Sequence, residues 1–130
     1  MNDKIMVVDD EKHIRLLYSE ELEDEGYQVI TVSNGYKLLE KIENEKPDLV
    51  ILDIKLRDYD GLDLLLSIRN KFYDMPVGIC SAYDTFKEDI RSIAADFYVV
   101  RSYDLTELKN NIAKTLYIYK QNSQRAKCNL

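Results

Sequence analysis

Leu49-Val50-Ile51-Leu52 is a run of four apolar residues that ends on a single acid, Asp53. Pro47 bounds it upstream and polar residues follow. A run this short, apolar at every position, reads as a strand covered on both faces, as in a parallel sheet packed between helices. In such sheets ligands bind in the crevice outside the carboxyl ends of the strands. Asp53 is expected at that end, where a carboxylate would face whatever binds.

The rest of the chain alternates strand and helix signals. Ile5-Met6-Val7-Val8 runs into Asp9-Asp10-Glu11, so the first strand also ends on acids. Residues 11–25 carry Ile14, Leu17, Tyr18 and Leu22 at helical spacing, and Gly26 is a stop. Residues 27–32 are rich in β-branched side chains and form the second expected strand. Asn34-Gly35 opens a second helix with Leu38, Leu39 and Ile42 on one face, running to about Glu45. A polar loop, Lys55 to Asp60, follows the third strand and is closed by Gly61. A third helix is expected over residues 62–71 and a fourth strand over 76–80, with Pro76 at its first position. Thr85 to Ala94 is read as a fourth helix, with Phe86, Ile90 and Ile93 as its apolar positions. Residues 97–100 make the fifth strand. Asp104, with Glu107 three residues on, reads as a capping-box start. Leu105, Leu108, Ile112, Leu116 and Tyr119 then make the last amphipathic helix. Residues 1–120 are thus read as one domain and 121–130 as a polar, frayed tail with no output domain.

Five βα units in about 120 residues imply a doubly wound α/β sandwich with a five-stranded parallel sheet and right-handed crossovers. Strand order 2-1-3-4-5 is one of the two common choices, and it puts the switch point between strands one and three. Asp9 and Asp10 would then lie beside Asp53. Composition agrees with a globular domain: 45% of residues are apolar and 32% charged. A net charge of -6 argues against a nucleic-acid surface. No apolar run reaches membrane-spanning length, and Met1-Asn2-Asp3-Lys4 does not open a signal peptide, so the expected compartment is the cytoplasm. Cys80 and Cys128 show no metal spacing, and Cys80 is read as a small buried hydrophobe.

Three carboxylates in one crevice repel, and a hard dication relieves that repulsion. Mg²⁺ takes oxygen ligands in octahedral geometry and keeps several waters, so one or two direct carboxylates suffice. A carboxylate beside such an ion can also serve as a nucleophile toward phosphorus. The alternative is that the acids only solvate strand ends and cap helices, which is harder to sustain for all three together.

Val7-Val8-Asp9-Asp10-Glu11, Ile51-Leu52-Asp53-Ile54-Lys55, Asp60-Gly61, Ser81-Ala82 and Tyr98-Val99-Val100-Arg101 occur in that order over about residues 4–120. The set resembles the motif series of the response regulator receiver family, the CheY-like domains of two-component signalling. The resemblance implies that Asp53 accepts a phosphoryl group from a sensor histidine kinase or a phosphotransfer protein. It implies that Asp10 binds Mg²⁺ directly, that Asp9 does so mainly through water, and that the backbone carbonyl of Lys55 completes the ligands. Ser81 matches the hydroxyl that bonds the phosphoryl oxygen, and Tyr98 the aromatic switch. Arg101 stands at the family's usual lysine position. The resemblance leaves the downstream protein partner unnamed and leaves open a homodimer through the helix-four, strand-five, helix-five face; charge and hydropathy, as above, are the grounds for expecting no nucleic-acid and no membrane partner.

The chain departs from the family pattern on that same side. Ser102 replaces the proline after the usual lysine, and the twenty positions from Ser81 to Arg101 are about two fewer than the family's. Arg57 stands where proline is common. Arginine and lysine are not interchangeable at a close-fitting site. Arg101 either folds back to grip Asp53 with its fork or swings out of the acid pocket; the loosened loop favours the second, with a trans bond before Ser102 because a cis bond there costs about 2.5–4 kcal/mol. The expected function is a single-domain receiver, a phosphoacceptor rather than a turnover enzyme. The alternatives are a degenerate receiver that binds partners without phosphate, and an aspartyl-phosphate phosphatase or phosphomutase. The last generally needs a second acid two residues after the nucleophile, where this chain has Lys55. His13, the one histidine, is read as an exposed structural residue. The acidic stretch from Glu20 to Glu25 is read as a solvated helix face, and most of the ten tyrosines as half-buried packing groups.

Overall fold

The computed structural model describes the backbone of residues 2–128 and the side chains through residue 123. The elements are β1 (Lys4–Val8), α1 (Lys12–Asp24), β2 (Gln28–Val32), α2 (Leu38–Glu45), β3 (Leu49–Leu52), β4 (Lys55–Leu56), β5 (Tyr59–Asp60), α3 (Gly61–Lys71), β6 (Val77–Ser81), β7 (Phe97–Val100) and α4 (Thr106–Cys128). The main sheet is parallel throughout, in the order β2-β1-β3-β6-β7. This is the expected 2-1-3-4-5 arrangement once the small β4–β5 hairpin is set aside.

The apolar strand runs divide by parity. Ile5, Val7, Leu49 and Ile51 face one side, where Tyr18 and Leu22 of α1 meet Leu108 and Ile112 of α4. Met6, Val8, Val50 and Leu52 face the other, against Leu38 and Ile42 of α2 and Leu62, Leu65 and Ile68 of α3. Each such side chain gains about 1.5–3 kcal/mol by leaving water. Two full cores explain why β1 beyond Lys4, β3, and β6 up to Ser81 carry no polar side chain.

Local chemistry sets the boundaries. Gly26, at φ 96°, closes α1 in a Schellman motif: its N–H donates to Glu23 O at 2.9 Å, and Tyr27 N–H to Leu22 O at 3.2 Å. The Asn34 side chain captures the Tyr36 N–H at 2.8 Å, and Lys37 sits at φ 52°. That turn delays α2 to Leu38, later than the Asn34-Gly35 start expected from sequence. Asp60 caps α3 by accepting from Leu62 N–H at 2.9 Å. Asp104 accepts from the Thr106 N–H at 2.9 Å and Oγ1 at 2.6 Å, but its own N–H donates to Ser102 Oγ rather than to Glu107. The N-terminal capping of α4 is therefore one-sided.

Three expectations are corrected. The loop at Lys55–Asp60 pairs as a hairpin, Lys55 with Asp60 and Leu56 with Tyr59, and it buries Leu56. The last helix runs past residue 120: α4 continues to Cys128, while residues 129 and 130 and the side chains from residue 124 on lie outside the description. The fourth helix does not form. Residues 85–94 make two 3₁₀ turns, Thr85–Glu88 and Ile90–Ala94, with Ile90 and Ile93 each 80% exposed. Length does not forbid a helix over residues 82–96, since residues 33–48 between β2 and β3 hold α2; the interruption is local. Asp89 caps inside that stretch, holding both the Arg91 N–H and its guanidinium and breaking the ladder between the two turns.

Arg69 ties this crossover to the body. Its guanidinium donates to the carbonyls of Ala94, Tyr73 and Met75 and to the Asp96 carboxylate. Asp96 in turn accepts from Val77 N–H and from the Tyr119 hydroxyl, joining α3, β6, β7 and α4. Arg69→Ala leaves several carbonyls without their donor and is expected to cost about 2–3 kcal/mol in urea denaturation. A loss under about 0.5 kcal/mol would show the network to be idle.

Candidate functional site

The register brings the acids together. Val8 pairs with Leu52, so Asp9 and Asp53 are the next residues on neighbouring strands. Asp9 N–H donates to Val32 O at 3.0 Å and Asp53 N–H to Val8 O at 3.1 Å, pinning both backbones. One carboxylate oxygen from each of Asp9, Asp10 and Asp53 lies within 4.8 Å of the others. Asp9 and Asp53 are buried, at 2% and 7% exposure. Asp53 Oδ1 accepts from Ile54 N–H at 2.8 Å, and Asp9 Oδ1 from Glu11 N–H at 2.9 Å.

Burial and the charge of Asp9 push the Asp53 carboxyl up to about 6, against the pull of Arg101 and the Ile54 N–H. Asp9 is raised too, chiefly by burial. Acids raised by burial and by one another at a strand-end crevice mark a candidate functional site. The donors are all hard oxygens, and they fit a hard dication such as Mg²⁺. Lys55, from β4, lines the open groove beside Asp10, and its ammonium leans away to stack 4.6 Å over the Tyr83 ring.

Ser81 closes β6 and is fully buried; its Oγ accepts from Tyr83 N–H at 3.2 Å. Leu52 pairs with Ile79, and Ser81 with Val100, so Ser81 stands between the Asp53 strand end and Arg101. Tyr98 is half-buried against the α2–α3 side core, and its hydroxyl donates to Tyr83 O at 2.5 Å. The two residues assigned by resemblance to hydroxyl and switch therefore meet at one loop residue, Tyr83.

Arg101 does not swing out. Its N–H donates to Ser81 O at 2.6 Å, and its guanidinium reaches back into the pocket. Nη2 lies 2.5 Å from Asp9 Oδ2 and 3.4 Å from Asp53 Oδ2, while Nη1 is 3.6 Å from Glu11. The expectation failed because it weighed the loosened loop and not the two buried carboxylates, whose unpaired charge is costly. Arginine's length spans from the β7 end to the β1 end. The bond before Ser102 is trans, as expected; the described chain has no cis peptide. Sequence reasoning did not give Tyr18 and Cys80 a place near the site. Tyr18 Oη lies 3.1 Å from Cys80 Sγ under Arg101, and the only sequence signal was a tyrosine on an otherwise aliphatic helix face.

The family model for the response regulator receiver domain matches residues 5–113. The alkaline phosphatase synthesis transcriptional regulatory protein PhoP of Bacillus subtilis (strain 168) is 36% identical over 118 residues, 89% of this chain and 49% of that protein. Sporulation initiation phosphotransferase F of the same organism is 32% identical over 118 residues, 89% of this chain and 95% of that protein. This chain thus spans about half the length of the first relative and nearly all of the second. The response regulator TrrA of Thermotoga maritima, solved in complex with Mg²⁺-BeF, is 42% identical with a TM-score of 0.84, covering 87% of this chain and 98% of that one. A structure of histidine kinase ThkA in complex with TrrA matches at 43% identity and a TM-score of 0.83, covering 88% and 98%. Among the described residues no helix is long and apolar enough to cross a membrane. On the family match and on these relatives, this chain belongs to the response regulator receiver domain family.

Proposed function

We propose that the chain accepts a phosphoryl group on Asp53 from the phosphohistidine of a sensor kinase or phosphotransfer protein, and passes the signal on through protein contacts. The observation that supports this most is the convergence of Asp9, Asp10 and Asp53 within 4.8 Å, with Asp53 buried at a strand end. Ile54 N–H occupies Oδ1, so Oδ2, held only by the long 3.4 Å contact with Arg101 Nη2, is the oxygen that attacks phosphorus once the guanidinium moves off it. The new O–P bond forms as the P–N bond to the histidine breaks. Asp10, Asp53 and the Lys55 carbonyl would hold Mg²⁺ directly, and Asp9 through water. The ion, when bound, offsets the charge of the acids and of the incoming phosphoryl oxygens. Ser81 Oγ donates to a phosphoryl oxygen once it leaves the Tyr83 N–H, and the Tyr98 hydroxyl, already on Tyr83 O, follows that loop. Arg101 leaves Asp9 for the phosphoryl group, where its fork makes paired hydrogen bonds. On this reading the chain is a phosphoacceptor and not a turnover enzyme, and its compartment is the cytoplasm. The intact acids and Ser81 speak against a module that ignores phosphate.

Incubation with acetyl phosphate and Mg²⁺ is expected to add one phosphoryl group by intact mass, with Asp53→Ala and chelator each abolishing it. Wild-type protein that binds Mg²⁺ and never gains the mass would overturn the proposal in favour of the phosphate-independent module.

A further inference from the structure

Arg101 is held in the pocket by more than its carboxylates. Its Nη2 is engaged by Asp9 and Asp53 and its Nη1 faces Glu11, but Nε is buried with no hydrogen-bond partner. A buried donor left unpaired costs about 1–3 kcal/mol, so its surroundings ought to offer an acceptor. Tyr18 lines the same cavity between α1 and the end of β7, together with Ile14, Leu17 and Ala82. Its ring is 1% exposed, and its hydroxyl lies 3.1 Å from Cys80 Sγ, the residue before Ser81. A phenol has one proton and two lone pairs. With the proton given to Cys80 Sγ, both lone pairs remain for the guanidinium. The Tyr18 hydroxyl is also among the groups that favour the charged form of Arg101, after burial, which opposes it, and after Asp9 and Asp53.

We infer that Tyr18 is a positioning residue for Arg101: its hydroxyl, oriented by Cys80 and lining the same cavity, closes in solution on the buried Nε–H that has no partner in the structure, and so keeps the guanidinium on Asp9 and Asp53. Arg101 then acts as a tethered cation that an incoming dication must displace, and Tyr18 sets how firmly it stays. An ammonium at this position has no Nε–H to offer, so the role belongs to arginine and to this chain's departure from the usual lysine. The consequence for metal affinity rests on the function proposed above; the placement of Arg101 does not.

The test is Tyr18→Phe, which keeps the ring and removes only the hydroxyl. In ¹⁵N NMR without metal, the Arg101 Nε–H resonance is expected to exchange slowly in the wild type and at least tenfold faster in Tyr18→Phe. By calorimetry Mg²⁺ should bind about 3- to 10-fold more tightly to Tyr18→Phe than to wild type. In an Arg101→Lys background the same substitution should change the Mg²⁺ affinity less than twofold. Cys80→Ala, which frees the hydroxyl to turn, should reproduce part of the faster exchange and guards against a Tyr18→Phe protein that fails to fold. Unchanged Nε–H exchange in Tyr18→Phe, or an equal effect on Mg²⁺ affinity with lysine at 101, would show Tyr18 to be a core residue only. A wild-type protein that takes up no Mg²⁺ would instead sink the cation site, while the exchange comparison still decides the role of Tyr18.

Discussion

Gly61→Ala is expected to destabilise the fold by about 2–4 kcal/mol in urea denaturation and to damage the acid pocket with it. A Cβ built on Gly61 would stand 2.1 Å from the backbone oxygen of Asp53 and 2.6 Å from Ile54 Cα. These are backbone atoms at the end of β3, and they have no rotamer through which to yield. Gly61 N–H also donates to Ile54 O at 2.7 Å, so the first turn of α3 is seated directly on the strand end that carries Asp53. Relief has to come from moving α3 or from turning the Asp53 peptide, which places the cost at or above the usual range for overpacking. The second route displaces the phosphoacceptor itself. The variant should therefore lose most of its stabilisation by millimolar Mg²⁺ as well as its stability. A variant within about 1 kcal/mol of wild type with an undiminished Mg²⁺ response would show that the contact is slack.

The second large effect is electrostatic and has a sign that depends on metal. The Asp53 carboxyl stands near 6 in the fold, above its ordinary value of 3.8, with burial the main cause and Asp9 the next. The native state therefore holds this proton more tightly than the unfolded chain. Its contribution is fully present below about pH 4 and is lost as pH rises through 6. The shift of roughly two units corresponds to at most about 3 kcal/mol at neutral pH. In chelator at pH 7.5, Asp53→Asn is expected to be more stable than wild type by about 1–3 kcal/mol, with the difference vanishing near pH 4. Millimolar Mg²⁺ should reverse the order, because an ion that binds only the native wild type raises its stability by mass action. Equal stabilities at both pH values would mean that Asp53 is already neutralised at pH 7.5, with the guanidinium of Arg101 the obvious agent.

How far the chain could be read before folding follows from what each element depends on. β1, β3 and β6 were plain because strands buried on both faces leave no room for polar residues. The acid cluster followed from strand order, since Asp9 and Asp53 each sit one residue past a strand end. The β4–β5 hairpin was not legible: two residues a side carry no period, and only Leu56, buried between polar neighbours, marks it. Phe86, Ile90 and Ile93 fit a helix by spacing, yet Ile90 and Ile93 point to water, because Asp89 caps a new turn between Phe86 and Ile90 and interrupts the period. Arg101 was misread for a different reason. The direction of a long side chain is set by which charges are buried within its reach, and that is a property of the assembled pocket. Loop composition said nothing about it.

The crossover from β6 to β7 has a further consequence. Every other crossover in the main sheet is made by an α-helix that buries an apolar face, whereas this one packs only Phe86, Ala94 and Ala95 on the core and is otherwise held by two arginines. Arg69 holds its end, and Arg91 reaches Asp89, Asp60 and Asp63 at 2.7–3.1 Å from a partly exposed position. Exposed ion pairs such as those of Arg91 weaken as salt rises, while apolar contacts do not. The stretch beside Tyr83 and Tyr98 is therefore the part of the sheet's periphery whose hold on the body is expected to depend most on ionic strength, a dependence that amide exchange at low and high salt would read.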